Sequence, residues 1–178
     1  DTELVECLKD CGCQFIDYGF EAMDDNVLKL MRKGQTADDN YRCAMVTKKA
    51  GVPFNINILW GMPGDTPDTL RKGVEFIHEF HTGQNIRTIR PPTPYPGCEL
   101  YTTALKEGKL TGPADFYNKF TNSDRLTVNF TDMTDETFYT HLYAANSDLL
   151  HWQYSNKATQ LVDQFYSVYF KQDYKFRG

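Results

Sequence analysis

Two asparagines, a tryptophan and two glycines lie close together in the run Asn55-Ile56-Asn57-Ile58-Leu59-Trp60-Gly61-Met62-Pro63-Gly64-Asp65-Thr66-Pro67. Strand side chains alternate faces, so Phe54, Ile56, Ile58 and Trp60 point one way and Asn55, Asn57 and Leu59 the other. Amides on one face of a buried parallel strand are costly unless that face lines a polar cavity. The two glycines allow a close turn, and Thr66-Pro67 opens a helix as N-cap and first-turn proline. Where a parallel strand turns into a helix is where α/β proteins place their ligands. A second group is Asp17-Tyr18-Gly19-Phe20-Glu21, with Asp17, Gly19 and Glu21 on one face. Two carboxylates at a strand end suit hydroxyl or ammonium groups of a ligand; taken alone, Glu21 serves equally well as a charge at the start of the next helix. The third group, Pro94-Tyr95-Pro96-Gly97, read alone is a rigid corner.

The elements that must carry these groups follow from periodicity. Leu4, Val5, Leu8 and Cys11 recur at helical spacing up to Gly12. A strand is expected over 14–20, then a short helix from Asp24 with Val27, Leu28 and Met31 inward and Gly34 as its stop. Thr36 and Asp39 form a capping-box pattern, in which Asp replaces the usual Glu or Gln, and open a longer helix closed by Lys49 and Gly51. After the strand 54–60 comes a helix with Leu70, Val74 and Ile77 on one face, stopping near Gly83. A third strand, 86–90, runs into the proline corner, and a helix follows from Glu99 to Glu107. Repeated strand–helix alternation predicts an α/β fold with three parallel strands, right-handed crossovers and outer helices. Beyond residue 112 the pattern changes. Phe138, Leu142, Ala145, Leu149 and Trp152 recur at four-three spacing, and Ser155 is placed to cap a helix carrying Leu161, Phe165 and Val168. Residues 1–112 are thus expected as one unit and 113–178 as an aromatic-rich helical extension.

Composition narrows the function. The chain has 178 residues and a net charge of −5, which disfavours a nucleic-acid partner bound through phosphates. No apolar run approaches the roughly 20 residues needed to span a bilayer, so no membrane partner is expected. Five cysteines, an odd number without a secreted-scaffold spacing, predict a reducing, cytoplasmic compartment.

Taken together and in this order, the three groups resemble the radical S-adenosylmethionine (SAM) superfamily, in particular the branch whose members often carry a cobalamin-binding domain. Gly19-Phe20-Glu21 is similar to the Gly-Ile-Glu-Ser element at the end of that family's fourth barrel strand. Leu28-Lys29-Leu30-Met31-Arg32-Lys33-Gly34 resembles the helix and Lys-Gly that follow it. Leu59 to Thr66 resembles the Gly-x-Pro-Gly-Glu-Thr after the fifth strand, and Pro94 to Tyr101 the Pro-Tyr-Pro-Gly-Thr-x-Leu-Tyr after the sixth. The likeness covers about residues 4–110 and fades beyond, where Leu126 to Phe130 is only loosely similar to the family's C-terminal extensions.

The resemblance implies a partial (β/α) barrel, of which this chain would hold the later strands. It implies that Gly19 and Glu21 contact the ribose and methionyl part of SAM, that Asn57, Leu59 and Gly61 lie along adenine, and that Lys33 meets the SAM carboxylate. The parent would be an enzyme, an oxidoreductase or transferase. It would cleave SAM to a 5′-deoxyadenosyl radical that acts on a small-molecule substrate. Four positions depart from the family pattern: Ala22 for Ser, Asp65 for Glu, Cys98 for Thr, and Asn57 where glycine is usual.

The family's four-iron, four-sulfur cluster is bound by Cys-x-x-x-Cys-x-x-Cys, which this sequence lacks. Cys7, Cys11 and Cys13 miss that spacing by one residue and straddle a helix end and a strand start, so they read as structural thiols rather than ligands. The cluster is therefore expected in a segment upstream of this chain, and cobalamin, if used, in another domain. The chain alone is expected to be inactive, to hold no cluster, and to self-associate through sheet edges that the missing half of the barrel would cover. His78 and His81 could flank a metal, but no third ligand accompanies them, so surface histidines are expected. The C-terminal aromatics could stack on a tetrapyrrole, although helical spacing favours core packing. Two rival functions remain in view: a non-catalytic half-barrel interaction module, and a phosphate-binding α/β domain using the Gly64 turn, which no Gly-Lys-Ser/Thr supports.

Overall fold

A parallel strand pair with its crossover helices positions the groups named above. The computed structural model describes residues 1–81, 86–120, 128–154 and 158–171. Helix α1 (Thr2–Asp10) leads into β1 (Ile16–Glu21), which is followed by α2 (Asp25–Leu30), α3 (Ala37–Ala50), β2 (Phe54–Ile58) and α4 (Pro67–Phe80). Strands β1 and β2 pair in parallel, with Ile16 opposite Phe54 and Gly19 opposite Asn57. The register slips between Gly19 and Glu21, so Phe20 forms a bulge and Glu21 pairs with Ile58. Both long crossover helices begin as their sequences predict. Thr36 accepts from the Asp39 N–H and Asp39 reaches back to the Thr36 N–H, and Thr66 and Thr69 do the same at α4. Helix α4 ends at Phe80; Gly83, the expected stop, lies outside the described residues.

Among the described residues, the third strand expected over 86–90 is reduced to one parallel bridge between Leu59 and Arg90, and the sheet has two strands rather than three. Hydrogen bonds occupy both edges of that segment. Trp60 donates its N–H to the Arg90 carbonyl at 3.0 Å on one side. On the other side the Ile89 N–H and C=O are both taken by the Asn146 side chain. Pro91 and Pro92 then carry no N–H with which to continue a ladder.

Past the proline corner come α5 (Glu99–Lys106) and α6 (Pro113–Lys119), the latter not expected from the sequence, then α7 (Asp135–Tyr154) and α8 (Ala158–Phe170). The expected cap at Ser155 and part of the Leu126–Phe130 stretch fall outside the described residues. Helices α7 and α8 share the main core. Phe138, Leu142, Leu149 and Tyr169 pack in one cluster with Phe54, Ile56, Ile58 and Trp60 of the β2 segment and Leu70, Phe76, Ile77 and Phe80 of α4. A second cluster joins Tyr101, Ala104, Leu110, Phe116, Val128 and Phe130. Among the described residues no helix is long and apolar enough to cross a membrane.

Asp24 caps α2, accepting from the Asn26 and Val27 N–H groups, and binds Lys72 of α4 at 2.8 Å. The Lys72 ammonium, ahead of the two amides, holds its carboxyl below the ordinary 3.8. A depressed carboxylate pKa stabilises the fold above the unfolded value, and that contribution fades as pH falls through the folded one. Asp24→Ala is therefore expected to lose about 1 kcal/mol at neutral pH. In urea titrations the gap from the unaltered protein should close as pH drops below 3.8; a gap constant down to pH 2 would contradict this account.

Candidate functional site

The polar faces of the strands meet in a cleft of about 470 Å³ lined by Gly19, Glu21, Asn57, Ile58, Leu59, Arg87, Thr88, Arg90, Pro91, Pro92, Thr93 and Tyr95. Four of the six residues singled out in the sequence, Gly19, Glu21, Asn57 and Leu59, thus share one wall. Burial alternates along β2 with Phe54, Ile56 and Ile58 inside the core and Asn55 and Asn57 half-buried, as a strand with one polar face requires.

Glu21 adopts φ +66°, a left-handed conformation that a non-glycine residue rarely takes. Two side-chain amides, the buried Asn40 and the half-buried Gln35, hold it there. Asn40, on α3, donates through Nδ2 to the carbonyls of Phe20 (3.0 Å) and Ala22 (2.9 Å), one on each side of Glu21. Gln35 donates to the Phe20 carbonyl (3.1 Å) and to Asn40 Oδ1 (2.8 Å). The twist carries the Glu21 carboxylate back over Gly19, where a Cβ would lie 2.7 Å from Oε1. A side chain at position 19 would require the Glu21 carboxylate to shift.

Lys33, the fifth residue, follows α2 and places Nζ 3.1 Å from Glu21 Oε1. It joins the site through Glu21 rather than by lining the cleft itself. Gly61, the sixth, is not among the cleft residues. Its φ of +121° and a phantom Cβ 3.0 Å from the Phe138 ring show a packing and turn role. Asp65 closes the same turn: Oδ2 accepts from the Gly61 and Met62 N–H groups at 2.9 Å each, and Oδ1 from the Thr69 hydroxyl at 2.7 Å. Burial pushes the Asp65 carboxyl up, against the downward pull of these three donors.

Further back along β1 on the same face, the exposed Asp17 links all three backbone segments. It accepts from Asn57 Nδ2 (3.0 Å) and from Arg87 Nη2 (2.7 Å). Sequence reasoning did not bring Arg87, Arg90 or Asn40 to the site. The signal for Asn40 was a polar residue at the inward spacing of α3, four before Ala44; none existed for the arginines, which depend on where the third segment docks.

Cys7 and Cys11 are exposed and Cys13 is half-buried, and all five cysteines are free thiols. Among the described residues no three of His, Cys, Asp or Glu are grouped to hold a metal. His78 and His81 are half-buried rather than exposed. His78 bonds Asp148 at 2.7 Å, and both rings meet Trp152 edge-on at 4.6 and 5.5 Å, so they seal the α4–α7 contact.

The cleft thus lies at the end of the parallel strands, walled by a glycine and a carboxylate held in a twisted strand end. Residues 1–77 match the model of the radical SAM superfamily. The bacteriochlorophyllide d C-8(2)-methyltransferase of Chlorobaculum tepidum is 29% identical over 113 residues, covering 62% of this chain and 25% of that protein. An uncharacterized methyltransferase of Pyrococcus horikoshii is 24% identical over 110 residues, covering 62% and 24%. The ribosomal protein uS12 methylthiotransferase of Bacteroides thetaiotaomicron is 27% identical over 82 residues, covering 44% and 19%. The chain spans about a quarter of the length of the first curated relatives it matches.

Proposed function

We propose that this chain supplies the later strands of the catalytic barrel of a radical SAM enzyme, a group transferase acting on a small-molecule substrate. The observation that carries the reading is Glu21, held by Asn40 in a left-handed twist that seats its carboxylate over Gly19 at the cleft wall. Such a carboxylate accepts hydrogen bonds from ribose hydroxyls or an ammonium. Lys33 balances its charge and stands where a ligand carboxylate would exchange with it. Asn57 and Leu59 provide an amide and an apolar edge for a base. Bound SAM would supply a 5′-deoxyadenosyl radical once cleaved reductively; the chain's own residues position it and exclude water. The names of the relatives, methyl- and methylthiotransferases, favour transfer over net oxidation.

The cysteines here do not fit an iron–sulfur cluster, so the proposal places that cluster, and cobalamin if the parent uses it, in other parts of a longer protein. The outer edge of β1 has no strand partner among the described residues. Beside it runs a groove of about 750 Å³ lined by Leu4, Val5 and Leu8 of α1, Ile16 and Tyr18 of β1, and Val46 of α3. An open edge beside an apolar groove suits the remaining barrel strands, and in their absence a second copy of the chain.

The test is equilibrium binding of SAM to the reconstituted full-length parent, with ATP as competitor and 5′-deoxyadenosine as the product assayed. SAM binding that ATP does not displace, with product formed, is expected. Binding of ATP without SAM would favour the phosphate-binding alternative. Light scattering of the chain alone should report dimers or larger species; a monomer at high concentration with no SAM binding by the parent would remove the barrel reading.

A further inference from the structure

We infer that Asn146, in the middle of α7, is the residue that positions the third wall of the cleft, standing in for a missing neighbouring strand. Asn146 is fully buried. Its Oδ1 accepts the Ile89 N–H at 2.8 Å, and its Nδ2 donates to the Ile89 carbonyl at 2.9 Å and to the Tyr169 hydroxyl of α8 at 2.8 Å. The network fixes the orientation of the amide, because the Ile89 N–H requires Oδ1 and the Ile89 carbonyl requires Nδ2.

The geometry is that of a strand edge. In an extended chain the N–H and C=O of one residue point to one side and those of the next to the other. Arg90 turns its carbonyl toward Trp60, on the β2 side. Ile89 therefore turns both its groups away from the sheet, toward α7, where a further strand would bind. A single side-chain amide offers the same donor and acceptor, so Asn146 satisfies both groups and closes the edge. Buried backbone groups left without partners are strongly disfavoured, so this contact fixes where Ile89 lies.

The position of Ile89 decides the cleft. Its side chain goes into the core, while Arg87, Thr88 and Arg90 on either side of it line the cleft opposite Glu21 and Asn57. Asn146 touches none of the cleft itself; it acts through the backbone of Ile89. The aromatic-rich helices thereby become part of the site's construction, with Tyr169 coupling α8 to the same wall. This holds whatever ligand the cleft takes, so it survives or fails independently of the SAM reading.

Amide hydrogen exchange in the full chain tests it. Asn146→Leu keeps the volume and removes the amide; Leu149→Ala, a fully buried neighbour on the same helix, serves as a control for lost packing. At denaturant concentrations that equalise global stability, Asn146→Leu should speed exchange at Ile89 about tenfold or more. It should also shift the Thr88 and Arg90 resonances, while Leu149→Ala leaves both close to the unaltered protein. Equal protection of Ile89 in Asn146→Leu, or equal loosening in Leu149→Ala, would overturn the inference. If Asn146→Leu does not fold, Tyr169→Phe decides: removing one hydroxyl should speed Ile89 exchange about threefold, and no change would refute the role.

Discussion

Trp60→Ala is expected to lower stability by about 3–5 kcal/mol, among the largest losses a single core truncation gives. Trp60 is 1% exposed and lies flat on Phe138, with ring centroids 4.8 Å apart and planes within 6°. Its Nε1 donates to the Thr66 carbonyl at 3.0 Å, tying the strand end to the N-terminus of α4. Its backbone N–H carries the link to Arg90. The indole therefore joins the sheet, α4 and α7 at one point, and alanine would leave a cavity that Phe138 cannot fill without moving off Gly61. With a typical urea slope of about 2 kcal/mol per molar, the midpoint should fall by roughly 1.5–2.5 M. Trp60→Phe, which keeps an aromatic face against Phe138, should lose less than half as much. A Trp60→Ala change below 1 kcal/mol would show that the stack does not bear on the fold.

The residues that carry this contact show how much of the molecule was legible in its sequence. Alternation along Phe54 to Trp60 gave β2 and both its faces, because a strand's period is a local property and the buried face is nearly all apolar. The caps at Asp24, Thr36 and Thr66 were legible for the same reason: a side chain and an amide two or three residues away suffice. The cleft wall of Gly19, Glu21, Asn57 and Leu59 followed from two strand ends and a resemblance carried by their motifs. What depended on distant partners was not legible. The 86–90 segment has a strand's composition, yet its outer edge is claimed by Asn146, more than fifty residues later. Asn146 itself left a trace, a polar residue on the apolar stripe of Phe138, Leu142 and Leu149, four after Leu142 and three before Leu149. The twist at Glu21 left none, because the carbonyls that Asn40 grips are set by the bulge and not by residue type. Lys33 and Gly61 were named through the resemblance; the structure pairs Lys33 with Glu21 at the edge of the cleft and packs Gly61 beneath Phe138.

Glu21→Gln should weaken SAM binding by the parent enzyme roughly ten- to a hundredfold, the loss of one charge-assisted contact of about 1.5–3 kcal/mol. The substitution keeps the side chain's shape and its fit over Gly19 while removing the charge. Its effect on folding should be small, under about 1 kcal/mol, because the Glu21–Lys33 pair retains access to solvent. The two measurements together separate a binding role from a structural one. A large affinity loss with an unchanged urea midpoint assigns Glu21 to the ligand, and equal affinities remove it from the site. Gly19→Ala supplies the complementary test from the other side of the same contact. Its methyl would lie 2.7 Å from the present position of Oε1, and so should shift a fully charged Glu21 carboxylate. If the position of the carboxylate matters as well as its charge, Gly19→Ala must also lower SAM affinity, and the double variant should bind little worse than either single one. Additive losses would mean that Gly19 and Glu21 serve the ligand separately and that the twist at Glu21 has no part in binding.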